Sequence, residues 1–116
     1  NAAIMLYKGK TSIVRQRVPV PYSMYRGPFA KTGANLHLLN DGILELPDGR
    51  KAAVVVCYEA YLTWPYLVSM RHKPDVIISI ANLWWCRDTS LPITQRTTVK
   101  LWELLFGVST LFVQNI

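Results

Sequence analysis

The run VVVCYEAY at residues 54–61 constrains this chain more than any other feature. The apolar, β-branched stretch 53–56 reads as a buried strand. It stops at Cys57, and Tyr58 and Glu59 lead into a helix-like stretch over 59–72 in which Leu62, Tyr66, Leu67 and Met70 share one face. A thiol at such a junction sits on a rigid support with its sulfur at the sheet edge. The N–H groups of Tyr58 and Glu59 lie near a helix N-terminus, where they stabilise a thiolate or an oxyanion. Taken alone, the cysteine reads as a small buried hydrophobe. The rest of the chain changes that reading.

Two hairpins precede and build this strand. Residues 2–7 and 11–16 flank Lys8-Gly9-Lys10, and residues 43–46 and 51–56 flank Pro47-Asp48-Gly49, whose Asp-Gly pair is a turn signal. Between them, residues 17–28 carry Pro19, Pro21 and Pro28, which exclude regular helix and central strand and predict an extended loop. Pro65 fits the helix-like stretch only in a first turn or at a kink. After the break at Lys73-Pro74-Asp75, residues 76–81 form a continuous apolar strand expected to be buried on both faces. Residues 82–92 read as a loop and 93–106 as an amphipathic helix stopped by Gly107. A last strand begins at 111–113. Hairpins followed by strand–helix–strand–helix–strand make an α/β layout.

At 116 residues, with a hydrophobic content of 51%, the chain has the means for one small core. Both ends fall in strand-like runs, so residues 1–116 are expected to be an interior fragment of one domain. The net charge of +6 raises nucleic acid as a partner. The basic residues are scattered, however, with no stripe and no accompanying motif, so no specific nucleic acid is expected. A solvated basic surface facing an anionic membrane fits better. No apolar run approaches the roughly 18 residues of a membrane span, so any anchor is expected outside this segment.

Few residues are available to carry chemistry. His72 sits in the basic helix end Arg71-His72-Lys73, and His37 lies in an unassigned segment, so a Cys–His pair has no support. No Cys/His/Asp cluster has metal-ligand spacing, and there is no glycine-rich phosphate loop; neither metal nor cofactor is expected. Cys57 and Cys86 do not make a disulfide framework. Glu59, two residues after the thiol, is placed to accept helix N-terminal N–H groups or to meet Arg15 or Arg17. In a parallel sheet the carboxyl ends of adjacent strands converge, which makes Asn82 a neighbour of Cys57 with Trp84 and Trp85 as pocket walls.

Four blocks in order resemble the carbon–nitrogen hydrolase (nitrilase) superfamily, specifically its apolipoprotein N-acyltransferase branch and, more closely, a conjugal-transfer branch. Gln16-Arg17-Val18-Pro19-Val20-Pro21-Tyr22-Ser23-Met24-Tyr25 is similar to the loop K-x-H-L-V-P-F-G-E-Y. Val56-Cys57-Tyr58-Glu59 is similar to the nucleophile motif I-C-Y-E, and Ile80-Ala81-Asn82-Leu83-Trp84-Trp85 to the strand end S-N-D-x-W-F. Residues 95–115 resemble the helix and strand that carry R-A-x-E-x-G and a final T-N.

The resemblance implies an α-β-β-α sandwich, of which this chain supplies somewhat less than half, and a Glu–Lys–Cys mechanism. There, cysteine attacks an amide or ester carbonyl and the acyl-enzyme passes to water or an amine. Carried over, Cys57 is the nucleophile, Tyr58 offers an oxyanion N–H, Glu59 supports the site, Asn82, Trp84 and Trp85 line it, and Arg17, or Arg15, is a candidate for the oxyanion pocket in place of the family lysine. Three positions depart from the pattern. Gln16 replaces the family lysine, Met24 the glutamate of G-E-Y, and Leu105 the glutamate of R-A-x-E. The base glutamate would precede Asn1. Glutamine donates a hydrogen bond to an oxyanion but carries no charge, and charge-assisted bonds are about twice as strong.

The expectation is cysteine-dependent amide hydrolysis or N-acyl transfer; the alternative is a catalytically degenerate scaffold or interaction module of a conjugation apparatus. The implied partners are an acyl or amide substrate, membrane lipid or lipoprotein, conjugation proteins, and further copies through the sandwich. The implied place is the bacterial cell envelope, on its periplasmic side.

Overall fold

A computed structural model describes residues 1–21, 33 and 36–116. Met24, Pro28 and the second half of the proline-rich loop lie outside the described residues.

The chain opens with a hairpin of β1 (Ala2–Tyr7) and β2 (Lys10–Arg15). Lys8 and Gly9 both take positive φ, at 44° and 77°. That is the backbone of a two-residue turn matched to the right-handed twist of its strands. A second antiparallel pair, β3 (Ile43–Glu45) with β4 (Lys51–Val56), turns through Gly49 at φ 86°. Then come α1 (Thr63–Met70), β5 (Val76–Asn82), α2 (Leu91–Phe106) and β6 (Ser109–Asn115). The main sheet has the order β3-β4-β5-β6. Strands β4, β5 and β6 run parallel in continuous register, Val56 against Ile80 and Ile80 against Val113. The fold class is therefore α/β, with two sheets.

Alternation along the strands sends two apolar sets to opposite faces. Ala53, Val55 and Ile77 face the helices and pack with Ala60, Tyr66 and Val99. Tyr66 stacks on Trp102 at 4.6 Å and Trp102 on Phe106 at 5.7 Å between centroids, so aromatic rings fill much of that layer. On the other face Leu44, Ala52, Val54 and Val56 meet Val14, Ala3 and Met5 of the hairpin. Three layers result: helices, main sheet, hairpin.

Three expectations are corrected. The helix over 59–72 is not continuous. A single 3₁₀ turn spans Cys57–Tyr61, the chain extends at Leu62 (φ −102°, ψ 134°), and α1 starts at Thr63. In a continuous helix Pro65 could not donate to the Tyr61 carbonyl and its ring would clash there; in the first turn of a new helix its missing N–H costs nothing. Next, β5 is buried on both faces only in part. Ile77 and Ser79 are buried, but Val76, Ile78 and Ile80 are half-buried. The hairpin lies over β3 and β4 and leaves the β5–β6 side of that face open, with Leu111 and Val113 exposed. Finally, the loop at 82–92 contains a 3₁₀ turn at Trp84–Cys86, and α2 begins at Leu91 because Pro92 is acceptable in a first turn. Gly107 ends α2 at φ 64°, its N–H donating to the Glu103 carbonyl at 2.9 Å.

Candidate functional site: a cysteine turn at the carboxyl end of the sheet

Cys57 stands at the point where β4 ends, with φ +54°. A side chain at positive φ is unfavourable for a residue other than glycine, by an amount on the order of 1–3 kcal/mol, and is kept only where its surroundings fix it. Buried side chains hold the backbone on both sides of it, Glu59 and Gln16 before it and Gln95 after it. Glu59 takes hold of the strand side: its Oε2 accepts from the Val56 N–H at 3.1 Å, and its Oε1 accepts from the backbone N–H groups of Arg17 and, at 3.0 Å, of Val18. Gln95, reaching from α2, donates from Nε2 to the Cys57 carbonyl at 2.7 Å.

Arg17 completes the frame. It is wholly buried and lies 3.5 Å from Glu59, Nη2 to Oε2. Its Nη1 donates to the carbonyls of Asp41 (3.2 Å) and Pro65 (3.0 Å) and to Ser69 Oγ (2.8 Å), and its Nη2 to the Val54 carbonyl (3.1 Å). Burial pulls the guanidinium below its ordinary value, and Glu59 opposes that shift. Arg17 thus ties the segment after β2 to β4 and α1, and does not face an open pocket. Gly42 leaves it room: a Cβ there would stand 2.7 Å from Arg17 Cζ.

A cavity of about 730 Å³ opens beside the cysteine, at the carboxyl ends of β4, β5 and β6. Its wall includes Val56, Cys57, Ile80, Asn82, Trp85 and Val113, with Asn1, Ala2 and Val20 closing the hairpin side. Asn115 Nδ2 donates to Asn82 Oδ1 at 3.2 Å, and the Leu83 N–H to the Asn115 carbonyl at 2.8 Å, which fastens the loop after β5 to the end of β6. The cavity lies at the sheet end where α/β proteins place ligands.

The residues singled out from sequence therefore separate into two groups. Cys57, Asn82 and Trp85 share the cavity wall. Gln16, Arg17 and Glu59 are buried behind the cysteine turn. Gln16 Nε2 donates to the carbonyls of Val18 (3.1 Å) and Val56 (3.2 Å), and its Oε1 accepts from Asn1 Nδ2 at 2.8 Å, so its amide is already engaged. Tyr58 is half-buried, its ring 6.4 Å from that of Tyr61. Trp84 is 62% exposed and is not part of the wall. Cys86 is buried and donates to the Leu83 carbonyl at 3.3 Å; both cysteines are free. Tyr61, whose hydroxyl donates to the Leu91 carbonyl at 3.0 Å, is shifted upward chiefly by burial. Among the described residues no group of three His, Cys, Asp or Glu side chains could hold a metal.

Sequence reasoning did not assign Gln95 or Asn115 to the site, although they are the two ends of the block 95–115 that carries the resemblance; Gln95 lies in the first half of the helix that follows the Asn82 loop, and Asn115 ends the last strand.

The fold and the cavity define an α/β domain that presents a thiol on a strained turn at the carboxyl ends of parallel strands. Over 104 residues, 85% of its length, the chain is 34% identical to the probable conjugal transfer protein TraB of Sinorhizobium fredii (strain NBRC 101917 / NGR234). It is likewise 34% identical over 112 residues, 92% of its length, to the conjugal transfer protein TraB of Agrobacterium fabrum (strain C58 / ATCC 33970). The chain spans about a quarter (26%) of the length of each of these curated relatives. No family model matches it, and no solved structure does. The similarity supports the conjugal-transfer part of the resemblance seen in the motifs. No helix among the described residues is long and apolar enough to cross a membrane.

Proposed function

We propose that this chain is the nucleophile-bearing part of a nitrilase-type α-β-β-α domain in a TraB-like conjugal transfer protein, and that it performs cysteine-dependent amide hydrolysis or N-acyl transfer. The observation that carries the proposal is Cys57 itself, a non-glycine residue held at φ +54° against a cavity by the buried polar side chains of Glu59, Gln16 and Gln95. A thiol that only filled core would not call for strained backbone. In the reaction, the C–S bond forms between Cys57 Sγ and the acyl carbon, the C–N bond breaks, the amine leaves with the proton of the thiol, and water or an acceptor amine then cleaves the thioester and returns a proton to the sulfur. The N–H of Tyr58, the residue after the nucleophile, is the donor this reading assigns to the oxyanion that forms on the way. The substrate presents an acyl or amide group to a largely apolar cavity. The domain works beside conjugation proteins at the bacterial cell envelope, anchored outside this segment.

Complementation tests this reading. In cells lacking the chromosomal or plasmid copy, the Cys57→Ala protein should lower plasmid transfer frequency to the level of the deletion while accumulating normally. Full transfer with Cys57→Ala removes the catalytic reading.

One observation favours a second reading, that of a scaffold in the transfer apparatus. Gln16 stands where the resemblance places a lysine, its amide is committed to Val18, Val56 and Asn1, and the described residues of the cavity wall carry no charged side chain. A scaffold leaves transfer intact with Cys57→Ala and loses it when the fold is broken, for example with Glu59→Ala.

A further inference from the structure

We infer that Gln95 is the residue that aims the oxyanion-binding N–H of this site, acting through the Cys57–Tyr58 peptide; the inference rests on the nucleophile reading above. Gln95 is completely buried on α2, and its Nε2 lies 2.7 Å from the Cys57 carbonyl oxygen. A carbonyl only accepts, so the amide must present its nitrogen there, and its orientation is fixed by chemistry rather than by choice. Its Oε1 is buried and finds no hydrogen-bond partner among the described residues. A buried acceptor left alone is a penalty that a leucine or methionine at the same place would avoid. The donor end is what the position retains.

The consequence follows from peptide geometry. No peptide bond among the described residues is cis, and a trans peptide holds its C=O and N–H antiparallel in one plane. Clamping the Cys57 carbonyl toward α2 therefore turns the Tyr58 N–H away from α2. Glu59 holds the backbone before the cysteine, through Val56, and Gln95 holds the backbone after it. Without Gln95 this peptide loses the side-chain donor on its carbonyl and is held by the 3₁₀ turn alone. The thiol would remain in place while the oxyanion donor lost its direction. Gln95 does not touch the reacting atoms, and is a positioning residue.

Two reagents separate this role from a purely structural one. p-Nitrophenyl acetate acylates a thiol through a tetrahedral oxyanion: the C–S bond forms, the C–O bond to p-nitrophenolate breaks, and the thiol proton passes to solvent. Iodoacetamide alkylates the same thiol by direct displacement of iodide and forms no oxyanion. In the full polypeptide, Gln95→Met, which keeps the volume and removes the donor, should slow acetylation of Cys57 about 10- to 100-fold. Alkylation should stay within about threefold, because it follows thiolate access alone. If that variant does not fold, Gln95→Asn, one methylene shorter, should give the same selective pattern to a smaller degree. Equal slowing of both reactions, or of neither, overturns the positioning role. No acetylation of Cys57 in the unsubstituted protein overturns the nucleophile reading itself, and the role of Gln95 with it.

Discussion

Removing the Glu59 carboxylate should cost this fold a large part of its stability. Glu59→Ala strips the partner from three backbone N–H groups at once, those of Arg17, Val18 and Val56, of which Arg17 and Val56 are buried. An orphaned buried donor costs about 1–3 kcal/mol. The same change leaves the Arg17 guanidinium without its carboxylate, and a buried pair broken on one side costs about 3–5 kcal/mol. These terms share residues and are not additive, so a loss of about 5 kcal/mol is the working figure. Against a usual total of about 5–15 kcal/mol, that is between about a third and all of the stability of the fold. Glu59→Gln should fall between, since its NH₂ end must face an N–H group or the guanidinium. Urea denaturation followed by tryptophan fluorescence reads the loss as a lower midpoint at unchanged slope. Adding Arg17→Met to Glu59→Ala should recover part of it, as the uncompensated charge is gone while the orphaned N–H groups remain. A loss below about 1 kcal/mol, or a double variant whose loss equals the sum of the singles, would refute the idea that this pair holds the cysteine turn.

Two further outcomes follow from the same packing. Burial pushes the Tyr66 hydroxyl above its ordinary value, outweighing the opposing pull of Arg17, and the Tyr61 hydroxyl is shifted the same way. A raised phenol keeps its proton in the folded state longer than in the unfolded one. Stability is therefore full below about pH 10 and falls as pH rises beyond it. Because Tyr66 Oη has no partner among the described residues, Tyr66→Phe should be neutral or stabilising by about 1 kcal/mol and should flatten that alkaline fall. Denaturation midpoints at pH 8 and above pH 10 decide it. Gly42→Ala should destabilise by more than about 2 kcal/mol, since φ is +66° and the new Cβ would press on the locked Arg17 guanidinium; a melting shift of under a degree would contradict this.

The parts of the fold that were legible are those written in local sequence. Lys8-Gly9 and Asp48-Gly49 announce their hairpins, and Gly107 announces the end of α2, because each needs a backbone few residues adopt. The break at Leu62 was written in Pro65 but lay three residues ahead of it, where helix periodicity continued unbroken. The half-open face of β5 was not legible, since an apolar strand reads the same whether a second layer covers all of it or part. In the site, the motif around Cys57 marked the position of the thiol. It did not mark its left-handed backbone, which no cysteine advertises. Arg17 looked like a candidate for an oxyanion pocket because it is basic and near in sequence to Gln16. Its actual partners, Asp41, Val54, Pro65 and Ser69, lie 24 to 52 residues away and only the folded chain brings them together. The reach of Gln95 over 38 residues is of the same kind.

The most direct test of the account is the mass of the peptide that carries Cys57 after brief treatment of the full polypeptide with p-nitrophenyl acetate. An acetyl group on Cys57, removed by hydroxylamine and absent from the buried Cys86, is the result the strained turn predicts. An unmodified Cys57, or equal labelling of both cysteines, would mean that the turn presents no nucleophile.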